Sequence, residues 1–141
     1  MALNLRKLSF EEIKVGDTAF FEKEVDDSLV RQFADLSGDY NPLHMDESYA
    51  ANTPFGGRMA HGMLLGSFFS ALVGMLCPGE RSLYLSQTLN FKQPAKIGAK
   101  VRVEGKVSAK SDALKVITMA TIIQDASGTV LIEGEARVKV L

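Results

Sequence analysis

The chain has 141 residues with 16 basic and 17 acidic side chains, and its net charge of −1 argues against a nucleic-acid partner. Its apolar fraction of 46% is ordinary for a globular protein, and its length fits one domain over residues 1–141. A lone Cys77 excludes an internal disulfide, and no apolar leader segment is present at the N-terminus. We therefore expect a cytoplasmic protein.

A strand and a short helix are predicted at the start of the chain. Residues 17–25 have the composition of a strand, and Asp26 or Asp27 is placed to cap the helix that follows. The apolar stripe expected on that helix consists of Leu29, Val30, Phe33 and Leu36.

The segment FADLSGDYNPLH, which ends at His44, predicts a bent loop over residues 37–44 rather than a continued helix. Gly38 can adopt backbone angles that other residues avoid. Pro42 fixes its own φ angle, lacks an N–H group and pushes Asn41 toward an extended conformation. We expect Asn41 to make a local hydrogen bond that stiffens the loop, and secondarily to contact a bound water or substrate.

This loop carries one carboxylate and one imidazole, five residues apart. A stiff loop can direct Asp39 and His44 at the same point, as general acid–base chemistry on a bound water requires. The alternative is a solvated Asn-Pro turn in which the two side chains lie close together by chance.

A helical turn over residues 46–52 and a long apolar helix at about 60–76 are predicted next. Because nineteen consecutive residues here carry no charge, a membrane span is an alternative. His61 and Ser70 within the segment, and the alternating pattern downstream, favour a helix enclosed by a core.

The remainder of the chain has the period-two pattern of strands. In residues 130–140 apolar side chains alternate with charged ones, so one face of the sheet should be buried. A second apolar face is expected from Leu83, Leu85, Leu89 and Phe91, and Gln87 interrupts it. Only the long helix is apolar enough to cover the sheet. The prediction is an α+β fold, with a curved antiparallel sheet wrapped around a central helix.

Two hydrogen-bonding groups lie within these apolar segments, namely the backbone N–H at Gly62 and the side chain of Gln87. Gly62 begins the long helix, where unpaired N–H groups could hold a carbonyl oxygen that becomes negative. The alternative is that Gly62 relieves crowding where the helix meets the sheet, and that His61 is a capping or packing residue. Gln87 must find a partner, either in the active-site loop or a ligand, or in a local backbone group.

Metal and nucleophile chemistry receive little support from the sequence. His44, His61 and one aspartate are too sparse for a zinc signal, so no metal is expected. Cys77 lies near a helix C-terminus, where the helix dipole disfavours a thiolate. Arg58, Lys92 and Lys96 are either contacts for an anionic ligand or simply solvated.

Three blocks together resemble the (R)-specific enoyl-CoA hydratases, which are single-domain members of the MaoC-like group with the hotdog fold. The blocks are FADLSGDYNPLH, AHGMLLGSFFSALVG and YLSQTLNFKQPAKIGAKV, and the resemblance runs from about residue 14 to the C-terminus. It implies a lyase of fatty acid metabolism. Such enzymes add water to a trans-2-enoyl-CoA thioester and yield the (R)-3-hydroxyacyl product, without metal or redox cofactor.

The resemblance also implies residue roles. Asp39 and His44 match the catalytic pair, and Asn41 matches the residue that supports it. Gly62 matches the glycine whose N–H holds the thioester carbonyl. It further implies a homodimer whose sheets join edge to edge, with coenzyme A entering near the interface.

Ser70 and Val73 match positions that line the acyl pocket of the resembled family. Bulky neighbours on the same helix, namely Phe68, Phe69 and Met75, favour short acyl chains.

Three other functions remain open at this point. A dehydratase acting on carrier-protein thioesters would use the same pair of residues. A non-catalytic acyl-CoA-binding protein would typically lack the acid or the imidazole. A thioesterase on the same fold should need a carboxylate on the long helix, and residues 60–77 contain none.

Overall fold

Across residues 2–141, which the computed structural model describes, six strands form one antiparallel sheet. The strands are β1 (Thr18–Val25), β2 (Ser82–Gln87), β3 (Asn90–Phe91), β4 (Ala99–Ser111), β5 (Val116–Asp125) and β6 (Val130–Val140). Their order in the sheet is β1-β4-β5-β6-β2, and the short β3 also pairs with β6. β2 therefore lies at an edge of the sheet.

Four helices accompany the sheet within this described part of the chain. They are α1 (Asp27–Ser37), α2 (Pro42–Met45), α3 (Glu47–Ala51) and α4 (Gly62–Ala71). α4 continues directly into a π-helical turn at Leu72–Leu76, so the long helix predicted at about 60–76 is confirmed. No helix described here is long and apolar enough to cross a membrane.

The core lies between α4 and one face of the sheet. Phe69 and Leu72 of the helical segment are buried together with Val103, Met119 and Val138 of the central strands. Full burial of one such side chain stabilises the fold by about 1.5–3 kcal/mol. The α+β arrangement predicted from the sequence, with the apolar helix packed on the sheet, is therefore confirmed.

α1 has the N-terminal cap that its sequence predicts, but its buried face is narrower than the predicted apolar stripe. The Asp26 side chain accepts the Leu29 N–H at 2.8 Å, and Gly38 ends the helix at a φ of 83°. Val30 and Ala34 are fully buried, whereas Leu36 is 85% exposed. The prediction was wrong for Leu36, because two further residues turn its side chain about 200° away from Ala34.

The loop predicted over residues 37–44 contains a helical turn that the sequence analysis did not anticipate. Asn41 is extended as predicted, with φ −53° and ψ 132°. Pro42 then starts α2, since a proline with no N–H and a fixed φ suits the first position of a helix. The Asn41 side chain caps this turn by accepting the Leu43 N–H at 2.9 Å. His44 consequently lies on a helix rather than in a loop.

The apolar face predicted along residues 83–91 was wrong for Leu83, Leu85 and Phe91, whereas Leu89 packs against the core. Leu83 and Leu85 are about half exposed, while Tyr84 and Gln87 lie on the inner side of the strand. The pairing of β2 with β6 shifts register between Tyr84 and Ser86. A bulge adds one residue and so reverses which side chains face the core.

Candidate active site

Asp39 lies in the link between α1 and α2, where its two carboxylate oxygens have different surroundings. Oδ1 accepts the backbone N–H of Asn41 at 3.1 Å, and the Asp39 N–H donates to the Ser37 hydroxyl at 3.1 Å. Oδ2 lies 4.0 Å from Nε2 of His44, and the side chain is 48% exposed. One oxygen is thus held by the loop, and the other is free to bind a ligand.

His44 is oriented by the segment that precedes α4. Its Nδ1 lies 2.7 Å from the carbonyl oxygen of Met59. Because a carbonyl only accepts, Nδ1 carries the hydrogen, and Nε2 of the neutral ring has a free lone pair. The His44 carbonyl oxygen accepts the Nε–H of Arg58 at 2.7 Å, and Nη2 of Arg58 lies 2.7 Å from Oδ1 of Asp27.

The separation of Asp39 and His44 suits a shared water molecule. At 4.0 Å the two atoms are too far apart for a direct hydrogen bond. Two acceptors that each bind the same water at about 2.8 Å can lie at this separation. The structure therefore brings together the acid and the imidazole that the sequence singled out. We call this pair the Asp39–His44 dyad.

A cavity of about 440 Å³ opens beside His44 of the dyad, and Asp39 is not among the residues that line it. His44, Gly62, Phe91 and Lys92 are among the residues that line it. A Cβ atom on Gly62 would lie 2.8 Å from two carbon atoms of the Phe91 ring. Crowding thus accounts for the glycine, and the same residue brings the N-terminal end of α4 to the cavity wall.

The residue beneath the dyad, His61, was given only a packing or capping role from the sequence. It is 2% exposed and makes no side-chain cap to α4. Its Nε2 lies 3.0 Å from the Asp39 carbonyl oxygen, and its ring stacks on that of His44 with centroids 4.0 Å apart. Burial lowers the pKa of His61, more than the hydrogen bond to the Asp39 backbone raises it. The sequence feature that could have indicated a role for His61 in the site is its position directly before an apolar helix.

The three side chains do not form a favourable metal site. Asp39, His44 and His61 each offer a ligand atom within 4.8 Å of the others. The two imidazoles are stacked, however, at an interplanar angle of 29°. Their lone pairs lie in the ring planes and run nearly parallel, so they cannot both point at one ion about 2.1 Å away.

Comparison with known proteins decides the family. A profile of the MaoC like domain matches residues 11–127. The chain belongs to the MaoC-like family. It is 41% identical over 132 residues to the (R)-specific enoyl-CoA hydratase of Aeromonas caviae, covering 94% of this chain and 98% of that one. It is also 41% identical over 140 residues to the 3-hydroxybutyryl-CoA dehydratase of Methylorubrum extorquens, with 99% and 88% covered.

Solved structures of MaoC-like relatives share the fold. The (R)-hydratase from A. caviae, described as involved in PHA biosynthesis, matches with a TM-score of 0.91 at 40% identity, covering 93% of this chain and 99% of that one. An unliganded R-hydratase from Pseudomonas aeruginosa matches with a TM-score of 0.93 at 36% identity, covering 96% and 87%. The hotdog fold predicted from the sequence is confirmed by these neighbours.

Ser70 and Val73 lie away from the cavity of this MaoC-like protein. Ser70 is exposed and lines a separate, open groove of about 1030 Å³ between α1 and α4. Val73 is buried in the core. Phe33 lines the same groove, and its ring contacts His61 with centroids 4.9 Å apart. Phe33 therefore separates the groove from His61, and contact of Ser70 or Val73 with an acyl chain stays a prediction.

Gln87 is satisfied by its neighbours. It accepts the Tyr84 hydroxyl and donates to the Thr121 hydroxyl and the Thr88 carbonyl, both at 2.9 Å. These contacts are those of the local alternative, and a role of Gln87 in substrate binding stays a prediction.

Three further groups considered in the sequence analysis are either paired or unreactive. Arg58 is held by Asp27 and the His44 carbonyl, and Lys92 forms an ion pair with Glu133 at 3.3 Å. Burial raises the pKa of the Cys77 thiol to about 11, which disfavours a thiolate nucleophile.

Proposed function

We propose that this protein is an (R)-specific enoyl-CoA hydratase that adds water to a trans-2-enoyl-CoA to give the (R)-3-hydroxyacyl-CoA. The observation that carries the proposal is the 4.0 Å separation between the Asp39 carboxylate and the free nitrogen of His44. Two acceptors at this distance can hold both hydrogens of one water, which leaves its lone pair free to attack. The names of the relatives from A. caviae and M. extorquens support the same chemistry and the CoA thioester.

Each proton has a place in this reaction. Asp39 withdraws one proton from the water while His44 orients it, and the hydroxyl adds to C3 of the enoyl group. The negative charge then collects on the thioester oxygen, where the N–H of Gly62 at the start of α4 stabilises it. The withdrawn proton returns to C2, so that both hydrogens of the water end in the product. The roles of Asp39 and His44 can be exchanged without altering this balance.

The acyl chain occupies the cavity beside Gly62. Its wall is mostly apolar, and the Phe91 ring in this wall packs directly against Gly62 at the helix start. An apolar wall accepts a hydrocarbon chain, and the bound chain then keeps stray water away from the enolate. The name of the M. extorquens relative, a 3-hydroxybutyryl-CoA dehydratase, supports substrates with short chains, and a rate series over acyl lengths of four to about twelve carbons measures the limit.

The active protein is proposed to be a cytoplasmic homodimer. β2 has only β6 as a strand partner within the sheet, and its outer side presents the half-exposed Leu83 and Leu85. An unpaired edge with apolar side chains suits pairing with the same strand of a second copy. Cys77 is the only cysteine, which suits a reducing compartment.

Hydration of crotonyl-CoA tests the proposed function. The wild type should consume the enoyl thioester, and chiral analysis should identify the product as (R)-3-hydroxybutyryl-CoA. Asp39→Ala and His44→Ala should each lower kcat by about 10²–10⁴-fold, because each removes one proton-transfer group. Circular dichroism of both variants should match the wild type.

Asp35→Ala is the matched control. This nearby carboxylate accepts the Tyr40 hydroxyl at 2.6 Å and does not contact the dyad, so kcat should stay within about twofold of wild type. Near wild-type turnover in a folded Asp39→Ala or His44→Ala variant would exclude the mechanism. Faster turnover of the same acyl group on a carrier protein than on CoA would instead favour a carrier-protein dehydratase.

A further inference from the structure

His61 is a buried side chain that contacts both members of the dyad. Its Nε2 lies 3.0 Å from the main-chain carbonyl oxygen of Asp39. One face of its ring stacks on His44 at a centroid distance of 4.0 Å, and Phe33 packs edge-on at 4.9 Å. One residue therefore connects the link that carries the carboxylate with the helix that carries the imidazole.

We propose that His61 is a positioning residue for the hydration reaction. It donates its Nε2–H to the Asp39 carbonyl, supports the face of the His44 ring, and thereby holds the dyad at the spacing of one bridging water. This inference rests on the proposed function, since it concerns the same reaction.

The protonation state of His61 follows from its surroundings. The Asp39 carbonyl only accepts, so Nε2 carries the hydrogen. Nδ1 is buried and has no hydrogen-bond partner among residues 2–141. A proton on Nδ1 would therefore be a buried donor without an acceptor, which is costly. Asp39 and His44 are the titratable groups that face the ring, and a neutral His61 keeps a second cation away from His44 when the dyad is protonated.

Three substitutions separate the two contacts. His61→Gln keeps an N–H donor for the Asp39 carbonyl and removes the ring, His61→Phe keeps a ring and removes the donor, and His61→Ala removes both. A displacement of about 1 Å at reacting groups can cost about 100-fold in rate. We expect kcat for crotonyl-CoA to fall about 100-fold in the Phe and Ala variants and less than about tenfold in His61→Gln. KM should change less than about threefold, because His61 does not line the cavity.

A destabilised control distinguishes positioning from general loss of stability. Val107→Ala removes two methyl groups from a fully buried side chain of β4 that does not contact the dyad. It should lower the melting temperature without changing kcat. If Val107→Ala lowers kcat as much as His61→Phe at equal unfolding free energy, the proposal is overturned. It is also overturned by a wild-type kcat in His61→Phe, or by a loss confined to KM.

The tautomer of His61 provides a readout that does not depend on turnover. The sequence contains only two histidines, so long-range ¹H–¹⁵N spectra of the untagged protein show two imidazoles. We expect the Nε2–H tautomer for His61 and the Nδ1–H tautomer for His44. The Nδ1–H tautomer at His61 would overturn the positioning role. That outcome, or a wild-type kcat in His61→Phe, would leave the proposed hydratase function intact. An inactive wild type would overturn both the positioning role and the proposed function.

Discussion

At the residue scale, the orientation of the Asp39 carboxylate depends on Asn41. The Asn41 backbone N–H holds one oxygen of Asp39, while its side chain caps α2 through the Leu43 N–H. One residue thus determines both which oxygen of Asp39 remains free and where the helix carrying His44 begins. The structure gives Asn41 the local, stiffening contacts that the sequence predicted, and any direct contact with water or substrate stays a prediction.

Gly62 is the position where an added methyl group should have a large effect. An alanine Cβ would lie 2.8 Å from two atoms of the Phe91 ring, closer than packed carbons approach. Overpacking of this kind costs about 1–3 kcal/mol. We expect Gly62→Ala to lower the unfolding free energy by that amount, and kcat/KM for crotonyl-CoA by at least about tenfold. Denaturant unfolding and steady-state kinetics measure the two effects.

Gly74 in the π-helical turn offers the matched control. A Cβ there meets no atom within 4 Å, so Gly74→Ala should maintain stability or raise it by up to about 1 kcal/mol. Removing the obstructing ring in Gly62→Ala/Phe91→Ala should restore part of the stability, as a non-additive double mutant. Equal unfolding free energies for Gly62→Ala and Gly74→Ala would contradict the packing argument.

At the element scale, helix ends and local backbone conformation could be predicted from the sequence, whereas the register between strands could not. Gly38 ends α1 and Asn41 is extended, both for reasons that lie within three residues of the sequence. Pro42 is compatible with a loop and with the first position of a helix, so the sequence does not decide between them. The bulge in β2 arises from its register against β6, about 50 residues away, and no pattern within β2 indicates it.

Arg58 links two elements of the site, and its loss should disturb both. It donates to the His44 carbonyl on α2 and pairs with Asp27 in the first turn of α1. Hydrogen bonds from Arg31 and Arg58 lower the pKa of Asp27 from its usual value of 3.8. The carboxylate therefore stays ionised to a lower pH than a free aspartate does. We expect Arg58→Met to cost about 1.5–3 kcal/mol of unfolding free energy, since a mostly buried charged donor is lost. kcat should fall several-fold because the turn carrying His44 loses an anchor.

Arg31→Met tests the same carboxylate without the link to His44. Arg31 lies 2.9 Å from Asp27 on the surface of α1, and an exposed ion pair of this type contributes less than about 1 kcal/mol. The kcat of Arg31→Met should therefore equal that of the wild type. Urea unfolding of both variants at pH 7 gives the comparison, and equal losses of kcat would show that Arg58 does not anchor the dyad.

At the scale of the whole molecule, the long-range contacts of the site were beyond the reach of sequence patterns. The central helix and the alternation of β6 were predictable because burial imposes their periods. His61 is 22 residues from Asp39 along the chain, and its contacts exist only once α4 is packed on the sheet. The sequence therefore indicated the two members of the dyad but not His61, which contacts them both.

The proposed dimer also belongs to this scale. β2 and β3 lie at the edge of the sheet, and Leu83, Leu85 and Phe91 are about half exposed there. Because Phe91 also lines the cavity, pairing of β2 with a second copy would place a subunit boundary close to the cavity mouth. We expect light scattering of the wild type to give twice the chain mass of 15.3 kDa. Loss of the dimer should lower kcat/KM.

Charge placed on this edge should separate the subunits. Leu83→Lys/Leu85→Lys introduces two like charges per copy at the proposed interface, and like charges brought together there oppose association. Val15→Lys/Leu114→Lys makes the same change at two exposed positions outside the strands, so it should remain dimeric and active. Light scattering at several protein concentrations should show the edge variant shifting toward the monomer mass, with kcat/KM falling in parallel. A dimeric edge variant, or a monomeric wild type with full activity, would contradict assembly through β2.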